Sequence, residues 1–283
     1  QGLAIHSLLF TGMLGTLSIA AICVGVHAAQ TLGRLPPRLP ERVGFSYRHV
    51  VVAEEYWRAL ASVFVHANNM HLIFNMISLW QLVEIENSLG TLGYLSRSLA
   101  IFVAAKLISI CLCATIEKSP LLSLASRQQP AVAVGYSGIL FGWMALRALS
   151  PDAKPQVFFG RLILQPHIAS VFSMFLTKII VPNSSMMGHG SGILAGYLVG
   201  SSFCGDILNS FYWPAWLLFW VVLITGTSLR ATTTWNVPFI DFCNTQRSIQ
   251  PAGTAELQGQ LEFAPGEGRA FPGGSGFESI SLV

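Results

Sequence analysis

One serine and one histidine stand in this chain where acyl-transfer chemistry could begin. Gly135-Tyr136-Ser137-Gly138 lies within an uncharged run from Gln128 to Leu146. A glycine on each side of Ser137 allows close backbone approach. A serine amide at a helix start lies near the positive end of the helix dipole, where it can donate to a developing oxyanion. The motif is short, and alone it reads equally as a tightly packed turn. Serine is a weak nucleophile until a base takes its proton. His189, in Gly188-His189-Gly190, supplies a base inside a second uncharged run from Ile179 to Gly205, where Gly192, Gly196 and Gly200 follow at four-residue spacing. Such a small-residue face lets two helices approach closely. The first run has its own pair, Gly138 and Gly142, so packing the two runs together would bring His189 beside Ser137.

A third uncharged run, Ala59 to Val83, holds His66, Asn68, Asn69, His71 and Asn75. His71 and Asn75 are four apart and share a helical face. With the Ser137 amide they would supply donors to an oxyanion. Asp152, Asp206 and Asp241 all fall outside the interiors of the apolar runs, and no Glu lies in the three motif-bearing ones. A carboxylate to orient His189, as in a triad, is therefore lacking. The expectation is a Ser–His dyad, with Ser137 as nucleophile and His189 as general base. Phe141, one turn after Ser137, would stack beneath the His189 ring.

These side chains need a scaffold, and composition says which kind. Of 283 residues, 52% are hydrophobic and 10% charged, against about 25% charged in an average soluble domain. That excludes a largely disordered chain, a collagen-like repeat and an ordinary soluble enzyme. A net charge of +3 is too small to argue for a nucleic-acid partner. The five cysteines, Cys23, Cys111, Cys113, Cys204 and Cys243, are scattered and read as packing residues. The charge-free runs predict seven membrane spans, about 3–26, 60–82, 97–116, 134–150, 160–181, 187–206 and 211–229, each near the ~20 residues a bilayer requires. The first is expected as a retained span, since it lacks the basic start of a signal peptide. Residues 27–58 form a long loop with five arginines, 83–96 a short acidic connection, and 230–283 a Gly-, Pro- and Ser-rich tail expected to be disordered. Lys106, inside the third span, either snorkels or faces a polar cavity. The second, fourth and sixth spans cross in one direction and carry their polar groups toward their N-terminal ends. His71, Asn75, Ser137 and His189 are thus expected at similar depth below one membrane face.

Together these features resemble the rhomboid family of intramembrane serine proteases. The resemblance rests on Trp57-Arg58, His66-x4-His71-x3-Asn75, Gly135-Tyr136-Ser137-Gly138 and His189-x2-Gly192-x3-Gly196, and covers roughly residues 50–205. It implies an all-α polytopic membrane bundle, with a six-span core and a seventh C-terminal span. The corresponding division is 1–58 for the first span and loop, 59–206 for the catalytic core, 207–229 for the added span and 230–283 for the tail. By resemblance Ser137 and His189 are catalytic, His71 and Asn75 form the oxyanion hole, and His66 is structural. Gly135, Gly138, Phe141, Gly192 and Gly196 support them. One departure stands out: Glu86-Asn87-Ser88 lacks the arginine of the family's Glu-x-Arg, which bears on local stability rather than chemistry.

The implied activity is hydrolysis of peptide bonds in or near transmembrane segments, with single-span membrane proteins as substrates, the lipid bilayer as surroundings and no cofactor or metal. The expected setting is a secretory-pathway or other organelle membrane. Two other readings compete. A catalytically silent rhomboid-like adaptor would bind membrane clients, although such members typically lose the serine or histidine. A metal transporter would use His66, His71 and His189, but His66 and His71 diverge on an ideal helix and no intramembrane carboxylate assists. Arginines crowd the active-site side of the first loop, so the positive-inside rule would turn the site toward the cytoplasm, whereas the resemblance implies a lumenal or extracellular opening.

Overall fold

A computed structural model describes residues 13–118, 132–182, 184–201 and 213–233. The described chain is mostly helical. Helix α1 (Leu14–Thr31) leads to a short α2 (Leu39–Val43) and a single π-helical turn (Arg48–Val52). Then come α3 (Trp57–Phe64), α4 (Asn69–Trp80), α5 (Val83–Lys118) and α6 (Ser137–Ala148). A two-stranded antiparallel hairpin, β1 (Gln156–Phe158) with β2 (Leu162–Leu164), pairs Gln156 with Leu164. Helices α7 (Pro166–Ile180), α8 (Met186–Gly200) and α9 (Trp213–Thr232) complete it.

Among the described residues, three helices are long and apolar enough to cross a membrane: Leu14–Thr31, Val83–Ile116 and Trp213–Thr232. The seven-span expectation needs correcting in detail. The run 60–82 is not one helix: Val65 is extended, ending α3, and α4 begins afresh at Asn69. The restart has a local cause, because the Asn68 side chain accepts the His71 N–H at 2.9 Å and caps the new helix. The acidic connection 83–96 is helical and joins the third span through a single break at Gly90, with φ +71°. The region 160–181 opens as hairpin before α7 starts at its proline. Helices α6 and α8 have 12 and 15 residues, about 18 and 22 Å of helix, short of a ~30 Å hydrocarbon core. The start of the first run, residues 202–206 of the sixth and the tail from 234 lie outside the described residues.

Two packing devices set the frame for the site. Helices α6 and α8 meet along their glycines. A Cβ on Gly192 would strike the Gly138 carbonyl, and one on Gly196 the Gly142 carbonyl, so both faces require hydrogen as the side chain. Helix α5 backs α6 through Trp143, whose indole N–H donates to Ser98 Oγ at 2.9 Å and whose ring stacks on Tyr94 at 5.4 Å. The second device explains how Glu86 is held without the family's arginine. Its buried carboxylate accepts the Gly15 and Thr16 amides at 2.7 and 2.8 Å and the Thr91 hydroxyl at 2.7 Å. The amides belong to the first turn of α1, where unpaired N–H groups and the helix dipole both favour an anion.

Candidate active site

Ser137 is the first residue of α6, so its amide has no acceptor within the helix. The chain reaches it along a fixed path. Ala133 and Phe45 exchange backbone hydrogen bonds at 2.8 and 2.9 Å, and the Gly135 N–H donates to the Ser62 carbonyl at 2.8 Å. Gly135 has φ +107°, and a Cβ there would lie 2.8 Å from both Cε1 and Nε2 of His71. Glycine is thus required for conformation and for space, and the His71 ring lies directly against the approach to Ser137.

His189 is the fourth residue of α8, which Ser185 caps by accepting the Gly188 N–H at 3.1 Å. Its Nε2 lies 2.9 Å from Ser137 Oγ. Phe141 faces the imidazole with ring centroids 4.4 Å apart and planes tilted by 33°. His189 Nδ1 is buried and has no hydrogen-bond partner among the described residues. A hydroxyl donating to Nε2 leaves the ring proton on Nδ1, where no carboxylate meets it.

His71 is the third residue of α4 and lines a cavity of about 720 Å³ together with Gly135, Ser137, Gly138 and His189. Three helices therefore start at this cavity, with their dipoles making its wall favourable to negative charge. Asn75 sits one turn further along α4. Its amide donates to the His71 carbonyl at 2.8 Å, and it is not among the cavity-lining residues. His66 is wholly buried in the α3–α4 break, its ring 5.2 Å from that of His71 and inclined at 67°. Gly192 and Gly196 lie behind the site, in the α6–α8 contact. Among the described residues, no three His, Cys, Asp or Glu side chains gather as a metal site would require.

The cavity also holds residues that motif reading left out. Lys106, from the middle of α5, lines it and donates to Ser62 Oγ at 3.3 Å, with its ammonium 4.3 Å from the Phe45 ring centre. The sequence signal for Lys106 was a charge in an apolar span. Ser62 and Phe45 carried no signal, since their roles depend on contacts with residues 133–135 far along the chain.

Residues 53–206 match the family model described as the rhomboid domain, which covers more than half of the chain. The chain belongs to the rhomboid family. Among curated proteins it is 26% identical over 207 residues to rhomboid-like protein 14, mitochondrial, of Arabidopsis thaliana, covering 66% of this chain and 61% of that one. It is 30% identical over 141 residues to rhomboid-type serine protease 2 of Kluyveromyces lactis, covering 48% and 47%. It is 29% identical over 150 residues to rhomboid-related protein 4 of Mus musculus, covering 51% and 45%. The chain thus spans about half to three fifths of the length of these eukaryotic rhomboid relatives. No solved structure matches it. Apolar helices long enough to span a bilayer accord with rhomboids being integral membrane proteins.

Proposed function

We infer that this rhomboid is an intramembrane serine endopeptidase. The observation that carries the reading is the 2.9 Å approach of His189 Nε2 to Ser137 Oγ on the wall of a cavity. In the proposed reaction Ser137 Oγ attacks the substrate carbonyl carbon while His189 Nε2 takes the hydroxyl proton. The tetrahedral oxyanion accepts the Ser137 N–H, with the His71 and Asn75 side chains as further donors. Asn75 spends one amide hydrogen on the His71 carbonyl and has a second to give. The imidazolium then protonates the leaving amine as the C–N bond breaks, leaving an ester on Ser137. A water molecule gives its proton to His189, attacks the ester and releases the acid product and the free hydroxyl. Phe141 takes over part of the work of a triad carboxylate: its ring face lies against the imidazole, holding its orientation and stabilising its cationic form.

Substrates are single-span membrane proteins. A helical segment hides its carbonyls in its own hydrogen bonds, so the cut requires local unwinding within reach of the cavity. The same reading carries a six-span core with an added seventh span, the division at residues 58, 206 and 229, and a membrane with its lipids as surroundings. The proposed compartment is an organelle membrane. The plant relative's name assigns that protein to mitochondria, which puts mitochondria beside the secretory pathway as the places to look.

The test uses the full chain in lipid vesicles with a single-span substrate and a fluorophosphonate probe. Cleavage and labelling by the wild type are expected, with both falling more than roughly 1,000-fold in Ser137→Ala and cleavage falling similarly in His189→Ala. A folded wild type that neither cleaves nor labels would overturn the reading in favour of an adaptor that binds membrane clients.

A further inference from the structure

The cavity contains a charge that the dyad mechanism does not use. Lys106 projects from the middle of α5, the longest apolar helix among the described residues. An ammonium at that depth costs free energy and persists where it faces a polar pathway or a partner. Its partners among the described residues are weak. The Ser62 hydroxyl accepts at 3.3 Å, and the Phe45 ring lies at 4.3 Å. Ser62 Oγ gives its own proton to the Ala59 carbonyl at 3.2 Å. Among the described residues the one ion pair joins Arg58 to Glu55, so Lys106 has no carboxylate. Glu41 lines the same cavity and does not pair with it, and Arg48, which also lines it, is a second cation. The ammonium carries three donors, and among the described residues it fills one of them, with a neutral acceptor. It borders the cavity that also contains Ser137 and His189, where a substrate chain must enter.

We propose that Lys106 is a specificity-determining residue that receives an acidic side chain of the substrate, an Asp or Glu close in sequence to the bond cut at Ser137. This inference rests on the protease reading and adds the substrate chemistry to it. The physical logic is complementary on both sides. A carboxylate within a transmembrane segment is costly to bury, as the lysine is, and pairing the two inside the cavity offsets part of both penalties. The unwound substrate stretch would bring its own unpaired charge to the place where a counter-charge waits. Competing segments without the acid would leave Lys106 unpaired, and this difference discriminates between substrates.

The experiment walks a single Asp, with Asn as its isostere, through the residues on each side of the cut in one single-span substrate. The readout is the Asp-to-Asn ratio of kcat/KM within each enzyme, which cancels general losses of activity. Wild type and Lys106→Arg are expected to favour Asp at one or two positions by roughly 10- to 100-fold, the scale of a hydrogen bond between charged groups. Lys106→Met should bring the ratio near one, and Lys106→Glu should turn the preference toward Lys at the same positions. A wild type indifferent to Asp at every position overturns the proposal, as does a preference that survives in Lys106→Met. Lys106→Gln answers the same question if the methionine variant does not fold. Affinity of Ser137→Ala for the Asp and Asn substrates separates the two readings. Tighter binding of Asp with no cleavage by wild type sinks the protease and keeps the acid site. Cleavage by wild type with equal affinities and equal rates sinks the acid site alone.

Discussion

Gly135 shows how narrowly Ser137 and His71 are held in place. Its φ of +107° is closed to most side chains, and its missing Cβ is the space the His71 ring occupies. A Gly135→Ala variant meets both obstacles at once. Backbone strain of this kind costs about 1–3 kcal/mol, and the methyl must displace either the His71 imidazole or the peptide leading to Ser137. The expected outcome is a lower unfolding midpoint and a loss of fluorophosphonate labelling of at least about 100-fold, the scale of one lost oxyanion donor. Full labelling with unchanged stability would mean that His71 does not sit against Gly135 in the membrane. The approach of Ser137 to His189 was legible in sequence because residue type and motif carry it: a serine between glycines and a histidine heading a glycine face. The residues that aim them were not. Ser62 reaches Gly135 through a backbone carbonyl, which no side-chain pattern reports. Lys106 was visible as an anomaly, but its neighbour Ser62 lies 44 residues away.

At the scale of elements, hydropathy found where helices lie better than where they stop. Helices α1, α5 and α9 fall on long apolar runs. The break between α3 and α4 falls inside the run 59–83, which is uncharged throughout, and a hydropathy reading has no reason to divide it. The available signal was capping chemistry: Asn68 precedes His71 by three, the spacing at which a side-chain oxygen meets an unpaired amide. The 83–96 stretch misled in the opposite sense. Its glutamates marked it as a short acidic connection, whereas it is helical and Glu86 is turned inward onto the first turn of α1. This contact yields an element-scale prediction. Glu86→Gln offers one oxygen in place of two and turns an amide group toward a backbone N–H, leaving a buried donor unpaired at a cost of about 1–3 kcal/mol. Glu86→Ala strips the acceptor from two amides and the Thr91 hydroxyl, and should cost more. Thermal unfolding in micelles should rank wild type above Glu86→Gln and Glu86→Gln above Glu86→Ala. Equal midpoints for all three would show that the α1 start does not depend on the carboxylate.

Over the whole molecule, the order of helices brings chain-distant segments onto the one that precedes the site. The last described helix, α9, is apolar and mostly exposed, as a helix facing lipid should be, yet it is fastened by polar bonds near its C-terminal end. Ser228 Oγ donates to the Glu54 carbonyl at 2.6 Å, and the Trp57 indole N–H donates to Thr232 Oγ1 at 2.9 Å. These bonds join residues more than 170 positions apart. They land at the start of α3, whose Ser62 carbonyl holds Gly135. Hydrophobic association gives little drive between helices in lipid, so such hydrogen bonds join van der Waals packing in deciding where α9 docks. A double-mutant cycle isolates the contribution. Trp57→Phe and Thr232→Val each remove one end of the same bond, and the double variant removes nothing further. The two losses should therefore fall short of additivity by about 0.5–1.5 kcal/mol, the net worth of a single hydrogen bond. Independent sites add to within about 0.3–0.5 kcal/mol. Additivity in unfolding measurements would thus mean that α9 lies elsewhere in the bilayer. Measured coupling, joined to slower fluorophosphonate labelling in Thr232→Val, would mean that the seat of the last helix is transmitted through α3 to the segment that leads into Ser137.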